Sequence, residues 1–283
     1  MPGESTSQPK TVAAQGLLAD RVAFVTGAGR GQGRSHAVAL AREGASVIAV
    51  DLARPIESVP YSLSTKADLD ETARLVRELG REIVAEQADV RDRADLETAF
   101  RRGIEQFGGC DIVVANAGIA PVALDGGHPD VFRDVLDVNV TGVWHTVEAA
   151  RECLLESRHG AVVVTGSTFS LSGVGGDSPG AIAYTASKHA VLGLMRSYAN
   201  SLGPQGIRVN AVLPGGVDTV MVANPSTEEY YDRTGIGTRL GGPLPLGLAD
   251  PGDVSHAVVW LASDLARYVT GAALPVDGGF LVG

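Results

Sequence analysis

Short apolar runs alternate with longer amphipathic stretches from residue 21 to the end of the chain. The apolar runs, rich in Val, Ile and Ala, cover residues 21–26, 45–50, 82–88, 111–115, 161–165, 207–212 and 272–276. Between them, apolar positions recur at helical spacing. One such stretch follows a glycine-rich turn to about residue 43, and the next covers 68–79, with Leu69, Thr72, Leu75, Val76 and Leu79 on one side. Others run to residue 107, then over 129–138, 140–156, 181–202 and 251–263. Continuous apolar runs mark strands buried on both faces, and the 3.6-residue period marks helices. The alternation predicts one α/β domain over residues 17–283, a doubly wound parallel sheet of about seven strands with helices on both faces.

The chemically informative residues fall where these strands end, which is where open α/β sheets bind ligands. The first strand runs into Gly27-Ala28-Gly29-Arg30-Gly31-Gln32-Gly33 and then a helix. Strand, glycine turn, helix is the Rossmann dinucleotide pattern: the turn is tight, and helix-start N–H groups face a pyrophosphate. The second strand ends at Asp51, followed by Leu52, about twenty residues on, where an acid accepts hydrogen bonds from the adenine ribose. A carboxylate there also repels a 2′-phosphate. Arg30 pulls the other way, towards NADP, but Asp51 sits at the discriminating edge, so NAD is the expected cofactor. Asp89-Val90 closes the third strand as an adenine-edge contact, and Asn116-Ala117-Gly118 follows the fourth. Gly166-Ser167 ends the fifth, Pro214-Gly215 closes the sixth, and Asn139 lies between two helices.

Tyr184 and Lys188 stand four apart on the long helix, on one face. A free tyrosine titrates near ~10 and is a poor base at neutral pH. An ammonium at about 5 Å, at an effective dielectric of about 20, favours the tyrosinate by roughly 3 kcal/mol. With a cationic nicotinamide alongside, the hydroxyl is expected to exchange a proton with an alcohol or carbonyl near neutral pH.

Composition narrows the partners. The chain has 283 residues, 45% hydrophobic, with a net charge of −10, which argues against nucleic acid or an anionic membrane. No apolar run reaches the ~18 residues of a membrane span. Residues 1–16 are polar and lack a signal peptide's apolar core, and are expected to be a disordered tail of a cytoplasmic protein. Cys110 and Cys153 have no metal or redox spacing and the histidines form no HExxH, so no metal is expected. Residues 216–250 are punctuated by Gly and Pro and carry Val217, Val220, Met221, Val222 and Leu240. They read as a substrate lid over an apolar pocket.

In this order and spacing, Thr26-Gly27 through Gly33, Asp51, Asp89, Asn116-Ala117-Gly118, Asn139, Ser167, Tyr184 with Lys188, and Pro214-Gly215 with Thr219 resemble the short-chain dehydrogenase/reductase family. The likeness covers nearly the whole chain. The stretch 29–37, Val50-Asp51-Leu52 with a Pro-rich insertion, Pro60-Tyr61, Ala67-Asp68-Leu69, Lys188-His189 and Gly193-Leu194-Met195-Arg196 are similar to its mycofactocin-associated, carveol-dehydrogenase-like subgroup. That subgroup is NAD-dependent and holds its cofactor tightly. The resemblance implies Tyr184 as acid/base, Lys188 as its activator and a ribose ligand, Ser167 as the group polarising the substrate oxygen, and Asn139 as holder of a relay water. It places Asn116 and Gly118 against adenosine, and Thr219 with the Val217 backbone on the carboxamide. It also implies a homotetramer built on helices 140–156 and 181–202. Ala115 replaces a usual Asn. Ser167 and Tyr184 stand about four residues further apart than is common, so Ser170 or Ser172 competes with Ser167. The expected activity is oxidation of a hydrophobic, terpenoid-like secondary alcohol. Ketone reduction on the same fold and a non-catalytic nucleotide binder are the alternatives.

Overall fold

In the computed structural model, which describes residues 16–124, 127–173, 176–235 and 242–282, the apolar runs pair side by side. They form β1 (Val22–Thr26), β2 (Ser46–Asp51), β3 (Ile83–Gln87), β4 (Ile112–Ala115), β5 (Ala161–Thr165), β6 (Arg208–Pro214) and β7 (Ala273–Val276). The order is β3-β2-β1-β4-β5-β6-β7, and every neighbouring pair is parallel. The expected tail over residues 1–15, and Leu240 of the expected lid, lie outside the described residues.

Alternation along each strand feeds two separate cores. Phe24 faces a cluster with Leu96 and Phe100 of α3 (Arg93–Phe107), Val147 and Leu154 of α5 (Gly142–Glu156), and Val191 and Met195 of α6 (Pro179–Leu202). Its neighbours Ala23 and Val25 face the opposite cluster. There they meet Leu40 of α1 (Gly31–Arg42), Leu69 and Val76 of α2 (Lys66–Glu78), and Val258 and Leu261 of α8 (Pro251–Ala262). Both faces are therefore covered, which explains the nearly continuous apolar strands. No helix among the described residues is long and apolar enough to cross a membrane.

Three differences from the sequence reading have local causes. Asn139 lies between two helices as expected, but in a helical turn rather than in a break. The backbone runs from α4 (Val131–Leu136) through a π-helical turn, Asp137–Thr141, directly into α5, and Asn139 sits in that turn. Helix α6 starts at Pro179 rather than Ala181, because Ser178 Oγ accepts the Ala181 N–H and Pro179 has no N–H to satisfy. The 216–250 segment contains a helix, α7 (Pro225–Thr234), capped by Asn224, whose side chain accepts the Thr227 N–H. Its two tyrosines and scattered charges gave no clear apolar stripe.

Gly180 fixes how α6 meets the rest of the molecule. A Cβ there would stand 1.8 Å from the Pro121 carbonyl oxygen, a contact with backbone on the partner side. Gly180→Ala is expected to cost about 1–3 kcal/mol. That lowers the melting temperature by about 2–4 °C per kcal/mol for a chain of this size. An unchanged thermal melt would show that the Pro121 loop yields freely.

Candidate active site

A crevice opens where the strand order reverses, between β1 and β4, and holds a cavity of about 400 Å³. Of the site residues expected from sequence, all but Asn139, Gly215 and Val217 border it. Gly215 instead lies where a Cβ would come 3.0 Å from the Asp277 backbone. Val217 is 2% exposed and packs into the α1/α8 core.

The start of α1 forms one end of the crevice. Gly27 (φ 70°) and Gly31 (φ 54°) take left-handed conformations that favour glycine. A Cβ on Gly33 would fall 1.9 Å from the Gly27 carbonyl oxygen. The N-cap Arg30 offers no side-chain hydrogen bond to this helix, whereas α2, α3, α6, α7 and α8 are all capped by side chains. The free N–H groups and the dipole of α1 thus face the cavity uncompensated, as an anion site requires. The Arg30 guanidinium donates to the Ser62 carbonyl across the crevice mouth.

Asp51 ends β2 almost buried. Its Oδ2 accepts the Gly29 N–H at 2.8 Å, and its Oδ1 accepts the Ala53 N–H at 2.9 Å and the Ser64 hydroxyl. It thereby ties the glycine turn to the Pro-rich connection after β2. Asp89 also borders the cavity, but its carboxylate is paired with Arg91 at 2.8 Å and faces Arg54 at 3.5 Å. Those partners, Arg91 foremost, hold its carboxyl below the usual range against the effect of burial. The Val90 carbonyl is fixed by His145 Nδ1 of α5 at 2.8 Å. Asn116 works mainly as a staple. Its amide donates to the Thr26 carbonyl at 3.1 Å and its oxygen accepts the Thr165 hydroxyl at 3.2 Å, joining β1, β4 and β5 at the crevice floor.

At the other end, Tyr184, Lys188 and Ser167 come together. Lys188 is 5% exposed, and its Nζ donates to the Thr165 carbonyl at 2.8 Å and lies 5.6 Å from the centroid of the Tyr184 ring. Phe169 meets Tyr184 edge-on, with ring centroids 6.0 Å apart. Burial brings the Lys188 ammonium down to about 8. The expected lowering of Tyr184 is not the dominant effect in the free protein. Burial pushes its phenol above the ordinary value, and the Ser167 hydroxyl alongside pulls it back in part. The lysine Nζ is held on the Thr165 carbonyl rather than on the phenol oxygen.

Ser167 lies two residues past the end of β5 and caps a short 3-10 turn, Thr168–Ser170, accepting the Phe169 N–H at 3.2 Å. Ser170 accepts the Ser167 N–H at 3.1 Å and does not border the cavity; nor does Ser172, whose Oγ is buried without a partner. Asn139 is fully buried. Its Oδ1 accepts the Ile119 N–H at 2.8 Å, and its amide donates to the Ile119 carbonyl at 2.9 Å and to Ser187 Oγ at 3.1 Å. Its side chain is thus spent on positioning the backbone beyond Gly118.

Tyr61, Ser64 and Leu63 from the Pro-rich connection, together with Thr165, line the cavity without having been singled out as site residues, and Val220 and Met221 of the expected lid line it too. Tyr61 accepts the Ala120 N–H at 2.9 Å and so bridges the crevice. Only its place in the insertion hinted at this. Among the described residues no group of three or more His, Cys, Asp or Glu is arranged to hold a metal ion. Both cysteines are free, and burial raises both thiols above the ordinary value.

A crevice of this kind, at the switch point of a doubly wound sheet, is that of a dinucleotide-binding α/β protein. A family model described as "Enoyl-(Acyl carrier protein) reductase" matches residues 27–281. The chain is 52% identical over 267 residues to an uncharacterized oxidoreductase of Mycobacterium tuberculosis (strain CDC 1551 / Oshkosh), covering 93% of this chain and 97% of that one. It is 42% identical over 271 residues to the (-)-trans-carveol dehydrogenase of Rhodococcus erythropolis, covering 92% and 96%. Carveol dehydrogenase from Mycobacterium avium, solved in complex with NAD, matches with a TM-score of 0.88 and 46% identity, over 95% of this chain and all of that one. The chain belongs to the short-chain dehydrogenase/reductase family and is an oxidoreductase of the carveol-dehydrogenase-like kind.

Proposed function

We propose that this protein is an NAD-dependent secondary-alcohol dehydrogenase with Tyr184 as acid/base. The observation that carries this is the half-buried Tyr184 with buried Lys188 beside Ser167, where the large cavity meets a smaller one. The smaller cavity shares Ser167, Tyr184 and Met221 with the first and adds Val122, Phe169, Ala181 and Val222. Its walls suit a hydrophobic, terpenoid-like alcohol.

The residues fit a dinucleotide. Gly31, Gln32 and Gly33 at the uncapped start of α1 would hold its pyrophosphate, and Asp51 the adenine ribose. Asp89 and Val90 would border the adenine, and Thr219 with Lys188 the nicotinamide end. When bound, NAD supplies the hydride acceptor and a positive charge next to Tyr184. Ser167 and Tyr184 bond the substrate hydroxyl, and Tyr184 takes its proton as the carbinol carbon is oxidised. In the opposite direction the same phenol gives the proton back to a ketone oxygen. Lys188 provides positive charge beside the phenolate, and Asn139 positions the Gly118–Ile119 backbone. We assign the polarising role to Ser167 rather than Ser170 or Ser172, because it alone of the three faces both cavities.

The exposed apolar side chains Trp144 and Leu155 of α5 and Ile182 of α6 support subunit contacts through these helices, as a homotetramer requires. We read the Met221–Val222 stretch and α7 as the substrate-side cover.

The test is direct. Purified protein is expected to reduce NAD with a cyclic terpenoid secondary alcohol, followed by nicotinamide absorbance. NAD should be preferred over NADP by about 10- to 100-fold, since the Asp51 carboxylate repels a 2′-phosphate. Mass analysis should find dinucleotide carried through purification. Equal use of NADP, or a strong preference for charged sugars, would overturn the reading.

A further inference from the structure

Two polar side chains of the small cavity, Thr168 and Tyr231, are not used by the reaction above, and Tyr231 stands on the α7 side. Tyr231 of α7 lines this cavity, and among the described residues no hydrogen bond is made by its hydroxyl. Its neighbour Tyr230 is 1% exposed and packs into the cluster with Val122, Phe169 and Ala181, with the two tyrosine rings 6.4 Å apart. Successive helix residues point about 100° apart, so anchoring Tyr230 in the core fixes where Tyr231 points. The helix is held firmly at its start. Asn224 Nδ2 donates to the carbonyls of Val220 and Met221, and Ser226 Oγ donates to the Val122 carbonyl at 2.9 Å. Tyr231 is therefore a presented group rather than a loosely hung one. Burial raises its phenol well above the ordinary value, with Tyr184 adding to the effect, so it stays a neutral donor at working pH.

The rest of the wall facing it is apolar: Val122, Phe169, Ala181, Met221 and Val222. Ser167 and Tyr184, the reacting pair, line the same cavity, and Thr168 directly follows Ser167. A wholly apolar molecule filling this space would strip water from the Tyr231 hydroxyl and give nothing back. A site that presents a donor on an otherwise apolar wall discriminates against analogues that lack the matching acceptor.

We propose that Tyr231 is a specificity-determining residue, and that the substrate is an apolar secondary alcohol carrying a second oxygen function separate from the reacting one. The Tyr231 hydroxyl donates to that hydroxyl, carbonyl or ether oxygen. This rests on the dehydrogenase reading for the placement of the reacting end.

The experiment compares matched pairs: cyclohexanol against cyclohexane-1,4-diol and 4-hydroxycyclohexanone, with wild type and Tyr231→Phe. The wild-type kcat/KM ratio of bifunctional to simple alcohol is expected to be about 10–100, and Tyr231→Phe should bring it close to one. A ratio near one in the wild type, or a ratio unchanged by the substitution, overturns the proposal. Calorimetric binding of cyclohexanone and cyclohexane-1,4-dione to wild type and variant reads Tyr231 without turnover. Tighter wild-type binding of the dione that disappears in the variant supports the role; equal affinities overturn it. Absent turnover of every alcohol with that binding difference intact would sink the dehydrogenase reading and leave Tyr231 standing. Circular dichroism and a thermal melt check that the variant is folded.

Discussion

Phenylalanine in place of Tyr184 is expected to lower kcat/KM by about 10²- to 10⁴-fold, the usual worth of a positioned acid/base. The ring stays, so its edge-on contact with Phe169 and the shape of the cavity stay with it. Cofactor affinity, read by equilibrium binding, should therefore change little, and the loss should fall on kcat. The pH profile separates this from a packing effect. Burial holds the Tyr184 phenol above its ordinary value in the free protein, and alcohol oxidation needs the deprotonated form. Wild-type oxidation should therefore climb with pH through the working range, whereas ketone reduction, which uses the protonated form, should stay level there. In the variant the oxidation profile should lose that slope. Turnover close to wild type with a good alcohol would remove Tyr184 from the chemistry.

Lys188→Met is expected to do two opposite things: abolish most activity and stabilise the free protein near neutral pH. Burial lowers the ammonium from 10.5 to about 8 in the folded chain. Below pH 8 both folded and unfolded forms carry the proton, and the full cost of burying the charge, about 3 kcal/mol, weighs on the folded state. Between about 8 and 10.5 the unfolded chain binds more protons than the folded one, so stability rises with pH and the cost fades. Methionine removes this cost and leaves the Thr165 carbonyl without its donor, a loss of about 1 kcal/mol. The net gain at pH 7 is about 2 kcal/mol, measurable by denaturant unfolding, and it should shrink towards pH 10.5. Parallel pH–stability curves for the two proteins would contradict the assignment.

The parts of this molecule that follow from short-range rules were legible in its sequence. Apolar runs gave the strands, the spacing of Gly27, Gly31 and Gly33 after a strand gave the turn, and Asp51 at a strand end fell on the crevice. Tyr184 and Lys188 needed only helical geometry to be placed on one face. What could not be read depends on long-range contact. Asn116 borders the crevice as expected, but that its amide also joins β1 to β5 could not be read. Asn139 looked like a break between helices because the pattern shifts by one residue there, and the backbone absorbs that shift in a π turn. The electrostatic balance at Tyr184 also escaped, because burial of both partners is a property of the packed core. Helix α7 was hidden by its polar face, and Tyr231 with it.

The π turn carries one surplus residue within a continuous helical run. Ordinary α-helical winding would resume if a single position were deleted within 137–141, and the faces on either side would keep their phase. The buried row Val143, Val147, Ala150 and Leu154 would stay on the sheet, and His145 would keep its hold on the Val90 carbonyl. What the extra amino acid provides is the bulge itself, from which Asn139 reaches Ile119 and Ser187.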